Sequence, residues 1–306
     1  MKKLNFGDVR ILVAAPDQLT ADSLKTLLRN TGFRNLYGVK SLGEIKSALA
    51  EESPDLMICE CAFPEGDPSG LIHALRHHEL GGNPFLPVIM ITGDPAPELV
   101  GKIVDSGADD LIIKPLSGAY LLKRIEALVR VRKSFIVTSD YIGPDRRKNK
   151  RPDALEAPLI EVPNTLREKA SGGMSPDSLQ DLIDDTVAKI NLEKLKRYAL
   201  QTGVLVEMIL PAYEENRIDG KLIEDLDRLH YIAGDTGQRL VGTPFDHVAE
   251  LCESLIKVTS DIRAAMESPD RKDLDLLKQV AKAIQGAFNI TEDVADIARK
   301  ISASID

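Results

Sequence analysis

Apolar residues between Arg10 and Arg132 occur in short runs that alternate with amphipathic stretches. The runs are rich in β-branched residues, whereas the stretches between them repeat apolar residues at helical spacing. This alternation predicts five strand-helix units, in which a parallel sheet is covered by helices. The predicted strands cover residues 11–14, 35–39, 56–59, 88–91 and 111–113, and the predicted helices lie near residues 19–31, 42–52, 69–78, 96–105 and 117–133.

After Ser178 the apolar residues recur at helical spacing, and no strand pattern is present. This spacing predicts a short helix near residues 178–189 and four longer helices near residues 191–214, 220–238, 244–267 and 270–302. Pro211 is expected to kink or end the first long helix. The last helix carries an apolar stripe from Leu277 to Ile301, and such a stripe can be buried only against other helices. The sequence therefore predicts an all-α four-helix bundle over residues 178–306.

The segment between these two parts, from Ser134 to Asp177, lacks periodicity and is rich in proline. This composition predicts an extended linker over residues 134–177, which permits the two domains to touch or to stay apart. Within it, five of the six residues from Arg146 to Arg151 are basic. The cluster fits a solvated charge run, and it also fits docking onto an acidic protein patch or a phosphate ligand. The candidate docking residues are Arg146, Arg147 and Arg151.

Composition and charge narrow the class of protein. The chain has 306 residues, of which 48 are acidic and 39 basic, so its surface is expected to repel DNA. No apolar run approaches the ~20 residues of a membrane-spanning helix, and the first residues lack the apolar stretch of a signal peptide. We therefore expect a cytoplasmic protein that neither binds DNA nor enters a membrane.

Candidate metal ligands are few. The three cysteines, Cys59, Cys61 and Cys252, cannot form a disulfide framework, and a Cys-x-Cys pair without a neighbouring histidine is a weak zinc signal. They are interpreted as buried small apolar residues. His73 and His77 share one helix face but lack a third ligand. The sequence therefore predicts neither a bound metal nor a cofactor.

Three segments of the first part carry specific motifs, and they run from Pro54 to Pro64, from Pro87 to Thr92 and from Gly107 to Pro115. By these motifs, residues 8–133 resemble a bacterial response-regulator receiver domain. The resemblance implies a flavodoxin-like, doubly wound α/β fold whose five-stranded parallel sheet has the order 2-1-3-4-5. It also implies a site in which an aspartate takes a phosphoryl group from a phosphohistidine. Mg²⁺ would be held there by that aspartate and by an acidic pair after the first strand.

The residues at the corresponding positions of this chain are altered. Ala15 and Pro16 stand where the acidic pair belongs, and Asp17 follows one residue late. Glu60 replaces the aspartate, and its side chain is longer by one methylene group. Without these oxygen donors we predict a pseudo-receiver that cannot be phosphorylated.

Thr92 and Lys114 do match the hydroxyl and the lysine of the family. They favour an ion pair between Glu60 and Lys114 at the carboxyl ends of the strands. Such a pair either imitates the activated state permanently or is a relic without a signalling role. Leu111 favours the relic, because the family commonly has an aromatic residue there. In both cases a docking face for partners remains, and self-association through this domain is a further expectation.

A second resemblance covers about residues 191–303. The segment from Leu229 to Arg239 is similar to the signature of a histidine-phosphotransfer (Hpt) domain, although Ala233 stands in place of a basic residue. The matching residues are His230, Gly234 and Gly237. On a helix, His230 lies about 60° from the centre of the apolar stripe, so a partner can reach it. The glycines favour close approach of a partner. The alternative is a boundary histidine bonded to a neighbour, with glycines that serve helix packing.

The basic segment carries two weaker resemblances. Residues 141–147 resemble a segment found after receiver domains in some α-proteobacterial signalling proteins. Arg147 and Arg151 are spaced like the Arg-x-x-x-Arg with which PilZ domains bind cyclic di-GMP, but the β-barrel pattern of those domains is lacking. Docking onto an acidic patch is therefore the preferred role of these arginines.

Together these features predict a two-component signalling protein whose partners are a response regulator, a sensor histidine kinase, or both. One hypothesis is a phosphorelay intermediate that carries phosphoryl groups on His230. The other is a non-catalytic adaptor that imitates an Hpt domain and sequesters a response regulator or kinase. The missing base at Ala233 favours the adaptor, and the retained histidine favours transfer.

Overall fold

The β-branched runs of the first part form five parallel strands. They are β1 (Arg10–Ala14), β2 (Asn35–Val39), β3 (Leu56–Glu60), β4 (Val88–Thr92) and β5 (Asp110–Ile113). Their order in the sheet is β2-β1-β3-β4-β5, which confirms the predicted order. Each strand begins and ends within one residue of its predicted bounds. The central strands β3 and β4 are buried along their whole length, as expected of parallel strands covered on both faces.

The computed structural model describes residues 4–147, 157–243 and 245–288. These residues divide into two units. The first unit holds the described residues up to Arg146 and those from Pro158 to Ile190, and the second holds Arg147, Ala157 and the described residues from Asn191 onward.

Helices cover both faces of the sheet in the first unit. They are α1 (Gln18–Asn30), α2 (Leu42–Glu51), α3 (Ser69–Arg76), α4 (Pro97–Asp105) and α5 (Gly118–Arg130). Alternate residues of a strand face opposite sides, so Ile11 and Val13 pack with α1 and α5, whereas Leu12 and Ala14 pack with α2, α3 and α4. The sheet is therefore doubly wound, as predicted.

The segment expected to be an extended linker carries regular structure instead. Strands β6 (Phe135–Val137) and β7 (Ile142–Pro144) pair in antiparallel fashion, and α6 (Thr165–Ser171) follows. Phe135 also bridges to Ile160, and both strands are buried. Gly143 is needed there because a Cβ atom on it would lie 2.8 Å from the Cα of Gly107. The described residues of this segment thus belong to the first unit, except Arg147 and Ala157. Residues 148–156 lie outside the described residues.

Buried ion pairs next to the sheet contact the segment that follows α5. The carboxylate of Asp109 accepts hydrogen bonds from Arg76 (Nη2 to Oδ2, 2.9 Å) and from Arg132 (Nε to Oδ1, 2.7 Å). The three side chains are only 0–4% exposed. Both guanidinium groups lie close to the Phe135 ring, at 5.3 Å and 5.1 Å from its centroid. Arg146 donates to the backbone carbonyl of Ala108, so it too acts within this unit.

The second unit is helical. Its elements are the end of α7 (Pro176–Glu214), α8 (Gly220–Leu240), a 3₁₀ turn (Asp246–Val248), α9 (Ala249–Ala264) and α10 (Arg271–Ala287). Apolar residues from all four α-helices share one core, as the predicted bundle requires. The helices predicted near 178–189 and 191–214 are one helix, α7. Pro211 does not end this helix, since it lies inside α7, which continues to Glu214. The chain leaves the helix at Asn216, whose φ of 54° is in the left-handed region that commonly follows a helix. The final part of the predicted last helix, from residue 289, lies outside the described residues.

Candidate functional site

The carboxyl ends of the parallel strands bring several predicted residues to one edge of the sheet. Glu60 ends β3, Thr92 ends β4, and Lys114 follows β5. Nζ of Lys114 lies 2.9 Å from Oε1 of Glu60 and 3.0 Å from Oε2, where the angle also permits a hydrogen bond. The Glu60 side chain is 11% exposed. The predicted ion pair is therefore present, and the ammonium group of Lys114 contacts both oxygens of the Glu60 carboxylate.

The residues after β1 supply no further oxygen donor to this pair. Ala15 is buried, and its amide donates to the carbonyl of Val39. Asp17 caps α1, since its Oδ2 accepts hydrogen bonds from the Thr20 amide (2.7 Å) and hydroxyl (2.8 Å). The Thr20 amide is also the main cause that lowers the pKa of Asp17. Within the described residues, no three His, Cys, Asp or Glu side chains are grouped as a metal ion would need.

At this edge the Thr92 hydroxyl bonds the backbone of the loop that follows β4. Its Oγ1 donates to the carbonyl of Asp94 (3.1 Å) and accepts from the amide of Asp94 (3.0 Å). Thr92 therefore shapes the loop after β4.

The cysteines are buried and free, as predicted. Burial raises the pKa of Cys61 to about 12 and that of Cys252 to about 11, and it raises the pKa of Cys59 well above its ordinary value. Since the thiolate is the reactive form, we expect iodoacetamide at pH 8 to alkylate the folded protein at least about a hundredfold more slowly than the chain in urea. Mass spectrometry of quenched samples measures this difference. Equal rates at any of the three positions would contradict the burial.

His230 lies on the outer boundary of α8, where sequence periodicity places it. Leu222, Leu226 and Leu229 are buried in the core, and His230 is exposed. Its Nδ1 is 3.0 Å from Oγ1 of Thr259 on α9, a residue that sequence analysis did not single out. The imidazole is thus held by a neighbouring helix while its other edge faces outward.

The hydrogen bonds of Thr259 assign the tautomer of this histidine. The Thr259 hydroxyl lies 2.8 Å from the carbonyl of Leu255 and 2.9 Å from that of Ile256. Carbonyl oxygens only accept, so the single hydroxyl proton is directed to them. Oγ1 must then accept from Nδ1–H of His230, which leaves the lone pair of the ring on Nε2. A neutral imidazole with this tautomer is a nucleophile at Nε2.

A shallow groove beside His230 contains the groups that could act with it. Its lining comes from α8 and α9, and the residues are Leu226, Asp227, His230, Thr259, Ser260, Arg263 and Ala264. Nε of Arg263 donates to Oδ1 of Asp227 at 3.0 Å, and both side chains are substantially exposed. Neither residue was predicted, although Asp227 lies three residues before His230 and Arg263 four residues after Thr259. Those spacings place each on the face of its neighbour.

The other residues of the predicted signature take different positions. Ala233 is 1% exposed and belongs to the core, so a basic side chain could not replace it without disrupting the packing. Gly234 is half-buried, and a Cβ atom there would meet nothing within 4 Å. Gly237 faces Cβ of Cys252, at 3.6 Å from where its own Cβ would be. Packing therefore does not require either glycine. Arg151 lies outside the described residues.

Comparison with known proteins identifies the first unit. The family model of the response regulator receiver domain matches residues 11–126. The N-terminal part of the chain is a response regulator receiver domain. Such a domain implies two-component signalling, in which receiver domains interact with histidine kinases and other partners.

The chain is similar to curated regulatory proteins over part of its length. It is 34% identical over 122 residues to the transcriptional regulatory protein GltR of Pseudomonas aeruginosa, a match that covers 39% of this chain and 48% of GltR. The virulence transcriptional regulatory protein PhoP of Salmonella choleraesuis is 28% identical over 122 residues, covering 40% of this chain and 52% of PhoP. The chain thus spans about half the length of the curated relatives it matches.

Solved structures of receiver domains also match the chain. A CheY-like receiver domain protein from Methanospirillum hungatei is 25% identical, with a TM-score of 0.35, and covers 39% of this chain and 90% of its own. The receiver domain of a histidine kinase from Syntrophus aciditrophicus is 30% identical, with a TM-score of 0.34, and the match covers 39% of this chain and 87% of that domain's chain.

Within the described residues, no helix is long and apolar enough to cross a membrane.

Proposed function

We propose that the chain is a cytoplasmic two-component signalling protein in which the receiver domain binds partners without being phosphorylated, while the helical unit carries phosphoryl groups on His230 as an Hpt-like domain. The observation that carries the second part is the hydrogen bond between His230 and Thr259, which leaves the nucleophilic nitrogen outward. The first part is supported by the ion pair of Glu60 with Lys114 and by the role of Asp17 as a helix cap.

The transfer step needs only the groups described on α8 and α9. The lone pair of Nε2 forms a bond to the phosphorus of an aspartyl phosphate on a separate receiver. The bond between phosphorus and the aspartyl oxygen breaks, and the carboxylate leaves with the electron pair. The ring keeps its proton on Nδ1 and becomes positively charged, which strengthens the hydrogen bond to Thr259. Reversal of the same step hands the group to another receiver.

Loss of label from a single histidine tests this proposal. The full chain is incubated with phosphorylated response regulators and with a panel of sensor kinases, and the acid-labile, alkali-stable phosphate on it is measured. We expect label on the wild type and none on His230→Ala, because the nucleophile has been removed. His247→Ala is the matched control, since His247 is also an exposed histidine of the helical unit. Label that persists in His230→Ala would contradict the proposal.

A second candidate function is a non-catalytic adaptor, and burial of Ala233 favours it. The turn after His230 offers no cation on α8, because position 233 faces the core and position 234 is glycine. An adaptor would stay unlabelled with every donor and would still bind a response regulator after His230→Ala. Gly234→Glu would abolish that binding, since the open space at Gly234 accepts a side chain but a carboxylate there would meet the partner.

A further inference from the structure

We propose that Arg263 of α9 binds the phosphoryl group that His230 carries, in place of a basic residue on α8. This inference rests on the proposed phosphotransfer function and names a residue for it. Three observations carry it: the groove shared by the two side chains, the absence of a suitable cation on the adjoining turn of α8, and the weak ion pair that holds Arg263 at rest.

A phosphoryl group on a histidine ring brings about two negative charges to the protein surface. A nearby cation lowers the cost of gathering that charge during transfer, and a guanidinium group suits the task because its planar fork can donate two hydrogen bonds to phosphate oxygens. His230 therefore needs a cation within reach of its outward nitrogen.

Helix α8 does not supply this cation from the turn beside His230. Ala233 is buried and Gly234 has no side chain. Arg228, two residues before His230, lies over the ring of Tyr231 at 5.4 Å from its centroid and donates to Gln201 at 3.3 Å. Its guanidinium group is therefore already directed to other side chains.

Helix α9 does bring a cation to the groove. Thr259 contacts the imidazole directly, and Arg263 lies four residues later, one turn along the same face of the helix. Arg263 and His230 both line the groove between α8 and α9. Lys257, by contrast, lies two residues before Thr259, about 200° around the helix, and therefore on another face.

The present partner of Arg263 can release it. Asp227 and Arg263 are 60% and 42% exposed, and an exposed ion pair contributes little to stability. A phosphate dianion on His230 competes for the same guanidinium with more charge and more acceptor oxygens than the single carboxylate. Arg263 would then turn from Asp227 to the phosphoryl group, and Asp227 would be left to solvent.

A small phosphoryl donor tests the inference without a partner protein. Phosphoramidate is added to the full chain, and growth of the phosphohistidine signal is followed by ³¹P NMR. In this reaction Nε2 forms the bond to phosphorus, and the donor's bond from phosphorus to nitrogen breaks with release of ammonia. We expect Arg263→Gln to slow labelling of His230 about tenfold, since hydrogen bonds to charged groups are the strong ones. Arg263→Lys should retain an intermediate rate because it keeps the charge and loses the fork.

The controls separate this inference from the function on which it rests. Lys257→Gln removes a positive charge from the same helix and should label at the wild-type rate, and circular dichroism checks that each variant is folded. A wild-type rate in Arg263→Gln would overturn the role of Arg263 and leave the function of His230 intact. Label that persists in His230→Ala would overturn the proposed function itself. Equal slowing in Lys257→Gln would also overturn the inference, because it would show a general effect of charge.

Discussion

Replacing Asp109 by alanine is expected to lower the free energy of unfolding of the receiver domain by about 3–5 kcal/mol. The carboxylate is the counter-charge of Arg76 and Arg132, and its loss leaves two buried guanidinium groups without it. Burial already lowers the pKa of Arg76 to about 10, although Asp109 acts in the opposite direction. The amide of Val88 would lose its acceptor as well. Urea denaturation followed by circular dichroism measures the change.

The matched control for this variant is Glu126→Ala. Glu126 forms an ion pair with Arg130 on the surface of α5, where both side chains are well exposed. Such a pair contributes roughly 0.3–0.5 kcal/mol, so the control should unfold almost as the wild type does. A loss for Asp109→Ala no larger than for Glu126→Ala would show that the buried network does not hold the domain together.

The receiver domain is expected to form no acyl phosphate with acetyl phosphate and Mg²⁺, and no adduct with beryllofluoride. Glu60 is engaged by Lys114, and the chain after β1 offers Ala15 and Pro16 where a divalent cation would need carboxylates. Hydroxylamine-sensitive label and ¹⁹F NMR report the two species. An adduct in the wild type would contradict the proposal that this domain acts by binding alone.

Variants that restore the missing carboxylates test the same explanation from the other side. Glu60→Asp alone should remain inert, because a shorter nucleophile still lacks the other metal ligands. The triple variant Ala15→Asp, Pro16→Asp and Glu60→Asp places three carboxylates at the edge where β1 and β3 end side by side. We expect it to bind Mg²⁺ at least about tenfold more tightly than Glu60→Asp, since Mg²⁺ prefers several oxygen ligands. Equal binding would place the cause of the inactivity elsewhere.

The receiver domain was predictable because its information is local. Strands β1, β4 and β5 are short apolar runs rich in β-branched residues. The parallel order brings Glu60 and Lys114 together from positions 54 residues apart. Family motifs supplied that order. The three-residue strands β6 and β7 were missed because an apolar run of that length within a proline-rich segment carries no period. Their burial depends on Phe85, Ile183 and Ile190, which lie far away in sequence.

The partners of His230 were hidden for a similar reason. The periodicity of α8 placed the histidine at the boundary of the core, and the structure agrees. Thr259 and Arg263 lie on a different helix, 29 residues from His230 and 36 from Asp227 respectively. No helical period connects two helices, so their register follows only from the packed core. From the sequence alone, the spacing of four residues shows only that Thr259 and Arg263 lie on the same face of one helix.

Burial of Phe135 and Leu166 limits how this protein could have been assembled from parts. Both side chains are fully enclosed by the first unit, although they follow the last strand and helix of the receiver sheet. Recombination that joined a new output module at the end of α5 would leave an open apolar seam on the sheet. The receiver is therefore not a freely exchangeable cassette here, because its buried contacts extend to Ile183 and Ile190 of α7.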